Sequence, residues 1–361
     1  MRLPRKVVPE PAFDTEWYNM QIRKASMRSN RPTIKDVAMR AGVSPNVVSR
    51  VCNPESGEYV SAASRAKVLE AINELGYHPD SRAQYLRNPR TKTIGFYSGN
   101  GTLDFDFEFA RAIFEGLQTA CEEFDQDLLI FHLMDNHTVP YIADKVTSSK
   151  VDGIVYHPRD GDTQLSDILS KGHKPIVRIG EPFPNIPTVV ADDLNGGKRI
   201  ARHLYSRGHR RVVFRRQRHS IISAQRRYEG FCEAAARLGM TVVATTAAHI
   251  DDELTGEELE LLKNFRSEGI TAFVCWRDWS AAKVLLYCEE NHIQVPSDIA
   301  VVGFDGLTPD FCPSTMRLTT LVIEWDRIAE MAVKKLFDLI EQREVPDETI
   351  HPCSLYIGNT T

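Results

Sequence analysis

Between residues 33 and 53 the apolar positions fall on two short helical stripes separated by a glycine. Ile34, Val37, Ala38 and Ala41 recur at helical spacing and predict one buried face of a first helix. Gly42 follows, where a chain leaving a helix commonly turns left-handed. Ser44 is placed to cap a second helix, and Pro45 fits its first position, where no backbone donor is wanted. Val47, Val48 and Val51 then face inward and leave Asn46, Ser49 and Arg50 on the polar face. This is the pattern of a helix-turn-helix, whose second helix enters the major groove of DNA by its N-terminal end. An ordinary helical hairpin that carries caps is the alternative. After a turn-rich stretch over 53–59, Ser61 caps a third helix with Val68, Leu69, Ile72 and Leu75 as its stripe, ending at Gly76. Residues 80–87 have a helical tendency but are too few to hold a helix alone in water.

From Thr91 onward, short apolar runs alternate with amphipathic helices. The runs lie at 94–97, 127–133, 151–156, 175–179, 188–190, 211–214, 241–243, 272–275 and 299–304, and a helical period spans Glu108 to Phe124. Such alternation predicts parallel sheets flanked by helices on both faces. The runs are too many for one small sheet, so two lobes are expected. Ligands in such folds bind beyond the carboxyl ends of the strands, which two lobes bring together across a cleft.

Charge changes this picture more than overall composition does. Residues 1–90 carry 15 Lys and Arg against 9 Asp and Glu, whereas the remainder carries 29 against 40. A basic head on an acidic body suits phosphate contact at one end only, although random drift of charge also accounts for it. No run of about 18 apolar residues is present to span a bilayer. The N-terminus has no apolar signal core, so export is not expected and a cytoplasmic protein is. The seven cysteines are scattered without metal-like spacing and read as reduced packing residues. Neither a metal nor a cofactor is expected. Residues 1–30 read as a loosely ordered extension with one short helix around Thr15 to Lys24, and Met27 is an alternative start.

Several motifs carry a resemblance to a known family. They are Thr33-Ile34-Lys35-Asp36-Val37-Ala38, Ala41-Gly42-Val43-Ser44, Val48-Ser49-Arg50-Val51, Leu75-Gly76-Tyr77-His78-Pro79 and Ala83-Gln84-Tyr85-Leu86-Arg87. In the body they are Asp192-Asp193-Leu194-Asn195-Gly196-Gly197, Arg207-Gly208-His209, Arg227-Tyr228-Glu229-Gly230-Phe231, Val301-Val302-Gly303-Phe304-Asp305 and Leu318-Thr319-Thr320. The chain resembles the LacI/GalR family of bacterial transcription regulators over about residues 31 to 361. The resemblance implies an all-α DNA-binding head over 31–79, a hinge over 80–90, and a two-lobed α/β core over 91–361 like a periplasmic binding protein.

By that resemblance Pro45, Asn46 and Arg50 sit where base edges are contacted, with Thr33, Ser44, Ser49, Asn53 and Tyr77 completing the DNA face. An arginine reads guanine and an asparagine reads adenine in two-pronged fashion. Ala83 and Leu86 sit where paired hinge helices enter the minor groove, Leu86 as an intercalating wedge or, alternatively, a plain linker residue. Arg227 and Asp305 lie at the expected effector site, and Phe107, Phe109, Trp276 and Trp279 are candidates for an aromatic plate under a sugar. Ala191, Arg277 and Asp278 complete that expected pocket. The alternatives are a loop carboxylate for Asp305, a surface ion pair for Arg227 and core packing for the tryptophans.

Departures from the family pattern qualify this reading. Val47 stands where the family usually has Thr, Arg277-Asp278 where Asn-Asp is common, and Gly358 where an Arg is usual. The first removes a hydroxyl that could contact phosphate; the other two, together with the basic segment 214–219, hint at an anionic effector, against the alternative of a solvated basic loop. The expected function is a homodimeric, sequence-specific regulator, read as a repressor, binding double-stranded, near-palindromic operator DNA and a small carbohydrate-like effector. The chain ends soon after its last strand without a leucine-heptad tail, which favours a dimer. A solute receptor with a vestigial head is the alternative. An enzyme is not expected, because no Walker-type loop, HExxH or Gly-x-Ser-x-Gly motif occurs. His132, His137, His157 and His173 read as surface or loop residues.

Overall fold

The computed structural model describes residues 32–52, 59–78, 90–99, 108–131, 137–158, 163–217, 221–246, 253–307, 309 and 312–361. The expectations for the N-terminal extension, the hinge, Asn53, Ala83, Leu86, Phe107 and His132 fall outside those residues. The chain divides into two compact units, 1–89 and 90–361.

In the first unit three helices enclose one small core. Helix α1, Ile34–Ala41, starts at Thr33, whose backbone N–H and hydroxyl both donate to the Asp36 carboxylate at 2.7 Å. It stops at Gly42, where φ is 66°, a left-handed conformation that glycine adopts without a steric penalty. Helix α2, Pro45–Cys52, begins with the Ser44 carbonyl accepting from the Val47 and Val48 amides at 3.0 and 3.3 Å. Helix α3, Ala62–Leu75, is capped by the Ser61 hydroxyl, which accepts from the Ser64 amide at 3.2 Å. Val37, Ala38, Ala41, Val48, Val51, Val68, Ala71 and Tyr77 are buried together, with Ile34, Val47, Ile72 and Leu75 packed against them. Leu69 departs from the expected stripe and is 49% exposed. Val68, Ala71, Ile72 and Leu75 already fill the inward face at helical spacing, and Leu69 stands about 100° away from Val68 around the axis.

The second unit holds two six-stranded sheets. In the first, β1 (Thr93–Ser98), β2 (Asp127–Phe131), β3 (Gly153–His157), β4 (Ile176–Ile179), β5 (Thr188–Ala191) and β11 (Glu348–His351) run in the order β11-β5-β4-β3-β1-β2. The second contains β6 (Arg211–Arg216), β7 (Thr241–Thr246), β8 (Ala272–Cys275), β9 (Ala300–Asp305), β10 (Thr319–Val322) and β12 (Ser354–Tyr356) in the order β12-β10-β9-β8-β6-β7. Every pairing is parallel except β10 with β12. The helices between them are α4 (Glu108–Glu123), α5 (Val139–Val146), α6 (Gln164–Ser170), α7 (Asp193–Ser206), α8 (Ile222–Arg237), α9 (Gly256–Lys263), α10 (Asp278–Glu290) and α11 (Trp325–Ile340).

Both faces of each sheet are covered, which explains why the strands read as continuous apolar runs. Ile94 and Phe96 of β1 enter the large core beneath α4 and α11, whereas Tyr97 enters the smaller core on the other face. In the second sheet Val212 and Phe214 face that large core while Val213 faces the layer of α9 and α10. The chain passes between the sheets three times: through α7 after β5, from β10 into α11, and from β11 to β12.

Helices α7 and α8 approach closely enough to exclude any side chain at their crossing. A Cβ on Gly230 would lie 1.9 Å from the Leu194 carbonyl oxygen, and one on Gly197 would lie 2.1 Å from that of Arg227. Elsewhere in a helix Gly→Ala stabilises by roughly 0.5–1 kcal/mol. Here Gly230→Ala should instead destabilise by about 1–3 kcal/mol, because two backbones must separate. Urea denaturation of the full chain gives the sign, and a stabilised variant would mean that the helices part freely.

Candidate functional site

On the head, Ser44, Pro45 and Asn46 at the start of α2 are exposed, as is Arg50 one turn later, and Ser49 is half-buried between them. The exposed end of the helix thus carries an amide and a guanidinium on the face opposite Val48 and Val51. Thr33 is exposed, but its hydroxyl is engaged with Asp36. Tyr77, expected on the DNA face, is 9% exposed and packs in the head core, because the chain turns inward after Gly76.

In the core, the crossing of α7 and α8 sets Asp193 and Arg227 side by side. Arg227 is 4% exposed and reaches residues of three other elements. Its Nε donates to Asp193 Oδ1 at 2.8 Å, and its Nη1 donates to the Trp276 carbonyl at 2.8 Å and pairs with Asp305 Oδ1 at 2.8 Å. Its guanidinium also lies 5.0 Å from the centre of the Phe304 ring. Asp193 follows β5, Trp276 follows β8, and Asp305 ends β9 at the unusual φ of 110°. The carboxyl ends of both sheets therefore meet at one guanidinium. Burial works against the charge of Arg227, but Asp305 and Asp193 more than offset it and hold its pKa above the ordinary value.

Two further contacts tie α8 to the first sheet. The Glu181 carboxylate, just past β4, accepts from the Ile222 and Ser223 amides at 2.8 and 3.1 Å, satisfying donors left free at the helix start. Arg226 pairs with Glu348 of β11 through two bonds of 2.9 and 3.0 Å.

Asp278, expected to touch the effector, is buried beside the Thr320 hydroxyl and the Leu307 amide. Its Oδ1 accepts from the Thr320 hydroxyl at 2.6 Å and its Oδ2 from the Leu307 amide at 2.7 Å. It thereby fixes the loop that follows β9. Trp276 is 7% exposed, and the Arg277 guanidinium lies 4.5 Å from the centre of its ring. Trp279 is half-buried on α10, and Ala191 is buried at the end of β5. Two arginines of the basic segment, Arg215 and Arg216, are engaged within the second sheet's layers. Arg215 is fully buried, with Nε donating to Glu258 at 2.8 Å and Nη2 to the Glu253 carbonyl at 2.7 Å, and Arg216 lies over the Tyr228 ring.

Burial, partly opposed by Arg227, pushes the Asp193 carboxyl up to about 6. Burial and then the charge of Asp305 hold Asp278 well above the usual 3.8. An acid whose pKa is raised by folding stabilises the fold fully below its unfolded value, and that contribution is lost as pH rises through the folded value. His157 acts in the opposite sense below neutrality, since burial and then the Arg178 charge lower it to about 4. In Asp278→Asn the component belonging to Asp278 disappears. The difference in thermal midpoint between variant and parent should therefore move in the variant's favour as pH rises from about 4 through neutrality. A constant difference across that range would mean that Asp278 titrates normally.

The first sheet contributes a wall that the sequence did not reveal. His157, read from sequence as a surface or loop residue, ends β3 inside a ring cluster. Phe109 of α4 packs edge-on against it at 5.1 Å and against Trp325 of α11 at 4.7 Å. A Cβ on Gly180 would lie 3.8 Å from both His157 Nε2 and the Trp325 ring. His157 Nδ1 and Trp325 Nε1 are buried, and neither has a hydrogen-bond partner among the described residues. An unsatisfied buried group costs about 1–3 kcal/mol. Only the three-dimensional packing reveals such atoms; no sequence motif marks them.

Comparison with known proteins gives a consistent picture. The model of bacterial regulatory proteins of the lacI family matches residues 33–80, and that of the periplasmic binding protein-like domain matches residues 201–361. The chain is similar to the HTH-type transcriptional regulator GalR of Escherichia coli (strain K12), 30% identical over 322 residues, covering 88% of this chain and 92% of that protein. It is 29% identical over 320 residues to the HTH-type transcriptional repressor PurR of Photobacterium profundum, covering 86% and 92%. Its fold is similar to that of the lac repressor dimer bound to operator and the anti-inducer ONPF, with a TM-score of 0.75 at 23% identity, covering 92% of this chain and 99% of that one. Among the described residues, no helix is long and apolar enough to cross a membrane.

Proposed function

Because the chain belongs to the lacI family of bacterial regulatory proteins and is a DNA-binding transcriptional regulator, we propose that it is a homodimeric repressor whose DNA binding is controlled by a small carbohydrate-like effector bound between the two sheets of its core. It acts in the cytoplasm, where its DNA is. Operator half-sites are read by Asn46 and Arg50, with Ser44, Pro45 and Ser49 placing the start of α2 in the groove. Two-fold pairing of the chain makes the operator near-palindromic.

The observation that carries this reading is the meeting of both sheets at Arg227. A ligand that competes for the Asp305 carboxylate, or adds hydrogen bonds to it, acts on the residues that join the lobes. Glu181 and Glu348 belong to one sheet and α8 packs with the other, so a change in lobe spacing alters both of their contacts. Such a change transmits signal when ligand affinity differs between the two arrangements. Ala83 and Leu86 belong to the segment whose pairing on DNA would respond. The core works as a binding module rather than a catalyst, since Arg227 and Asp305 are engaged with each other.

The test is operator binding by the full chain with and without a panel of neutral and acidic sugars. Release or strengthening of DNA binding by one sugar, absent in Asp305→Asn, supports the reading. DNA binding that no small molecule changes would contradict it.

A further inference from the structure

Helix α11 runs from the second sheet to the residue at which the chain enters the core. It leaves β10 through a short crossover, where the Ile323 amide donates to the Asp305 carbonyl at 3.2 Å and the Trp325 amide to the Ile323 carbonyl at 3.1 Å. The backbone of Asp305, whose carboxylate pairs with Arg227, is thus bonded to the entry of the helix. The 16 residues of α11 then span about 24 Å of the first sheet. They start at Trp325, near Gly180 just past β4, and end with Leu336 and Ile340 against Gly153 at the start of β3. At that far end stands Arg90, the last residue of the expected hinge. Its guanidinium pairs with the Glu341 carboxylate, and its Nη2 donates to the Ile340 carbonyl at 3.1 Å. The last carbonyls of a helix have no donors within it, and the helix dipole favours a cation beside them.

We propose that Arg90 is a positioning residue for DNA binding: it passes a displacement of α11 to the chain entering the head, so that operator affinity follows the arrangement of the two sheets. This rests on the reading that the core controls DNA binding, and it needs no particular effector. The residues beside Arg90 give the displacement a fixed point to work against. The Thr91 amide and hydroxyl donate to Asp152 Oδ1 at 2.7 and 2.8 Å, and the Lys92 amide donates to its Oδ2 at 2.9 Å. Asp152 directly precedes β3, so the first sheet holds Thr91 and Lys92 while α11 holds Arg90. The buried face of α11 is apolar, with Ile328, Ala329, Ala332 and Val333 in the large core. Packed helices with such faces slide by small amounts without unfolding. Lys335 also ties α11 to the Thr188 and Pro346 carbonyls, at 3.1 and 2.8 Å, but through a flexible stem that follows a small shift.

The experiment is a double-mutant cycle on the full chain, read as affinity for the DNA site it enriches from a random pool. Contiguous packing alone does not establish coupling, whereas non-additive effects at two distant sites do. Gly116 of α4 supplies the displacement. A Cβ there would lie 2.0 Å from the Asp326 carbonyl oxygen, so Gly116→Ala moves the first turn of α11, at the end remote from Arg90. In the parent, Gly116→Ala should change the operator Kd by at least about five-fold, and in the Arg90→Ala background by less than about two-fold. Arg90→Ala alone should hold the thermal midpoint within about 3 °C, because the Arg90–Glu341 pair is only half-buried. A purely structural role gives the opposite pattern, a lower midpoint with the Gly116→Ala factor unchanged. The same factor in both backgrounds overturns the proposal, and so does a Gly116→Ala chain that binds operator as the parent does. The cycle uses no ligand, so a sugar panel that leaves DNA binding unchanged removes the effector reading without deciding this one. Should Gly116→Ala fail to fold, Trp325→Phe takes its place, since it thins the packing of the same end of α11 against Phe109.

Discussion

Arg227→Ala should cost the chain about 3–5 kcal/mol of stability, the usual penalty when one partner of a buried ion pair is removed. It should also abolish any response to effector. The size follows from what remains behind. Asp193, 2% exposed, keeps a carboxylate with no cation 2.8 Å away, Asp305 loses its partner at the same distance, and the Trp276 carbonyl loses its donor. Arg227→Lys should not rescue the parent behaviour, because one ammonium cannot reproduce a planar fork reaching residues of three elements. Urea denaturation measures the loss. Adding Asp193→Asn should recover part of it, since the uncompensated charge is then removed. A loss below about 1 kcal/mol would mean that water solvates the carboxylates and that the residues are less buried in solution than their packing indicates.

Arg50→Ala should weaken operator binding by about 1–3 kcal/mol for each half-site, so a dimer bearing two altered heads loses about twice that. Arg50 is exposed one turn beyond Asn46, and Val48 and Val51 on the opposite face anchor the helix in the head core. The head should remain folded, because Arg50 is exposed and its core is made by residues such as Val48 and Val51. If Arg50 reads a base, the loss is confined to one position of the operator, and substituting that base pair in the parent has the same effect. If it touches only phosphate, binding weakens evenly across sequences and the salt slope falls by about one. Competition binding across single-base operator variants, repeated at two salt concentrations, separates these outcomes. Asn46→Ala, measured alongside, should relax a different base pair.

The head was legible because its stripe is local. Ile34, Val37, Ala38, Val48 and Val51 carry their burial in their spacing, and Gly42 marks the turn. Leu69 was misplaced because an apolar residue beside a stripe looks like part of it until its neighbours have filled the core. The first nine strands were visible as apolar runs. By contrast, β11 and β12 are short edge strands with few apolar residues, and only their hydrogen bonding to β5 and β10 defines them.

In the core the resemblance pointed to Arg227 and Asp305, and the structure shows that they are joined to each other. The sequence offered no sign of this pairing, since Arg227 and Asp305 lie 78 residues apart on a helix and a strand end that only the fold brings together. Arg215 was read as part of a basic loop because its partner, Glu258, is 43 residues away on another helix. His157 was read as an ordinary histidine for a similar reason: its ring neighbours Phe109 and Trp325 come from distant segments. Tyr77 and Asp278 are buried and serve the packing of the regions expected to bind, which their sequence positions did not reveal.

The most direct test is selection of binding sites by the full chain from a random-sequence DNA pool, at a salt concentration high enough to suppress nonspecific contacts. An effector-controlled regulator with a working head enriches one near-palindromic site whose two halves are read alike, and Arg50→Ala blurs the same base pair in each half. A pool that stays random while the protein remains folded would show that the head does not read sequence, and would contradict specific DNA recognition as the basis of its function.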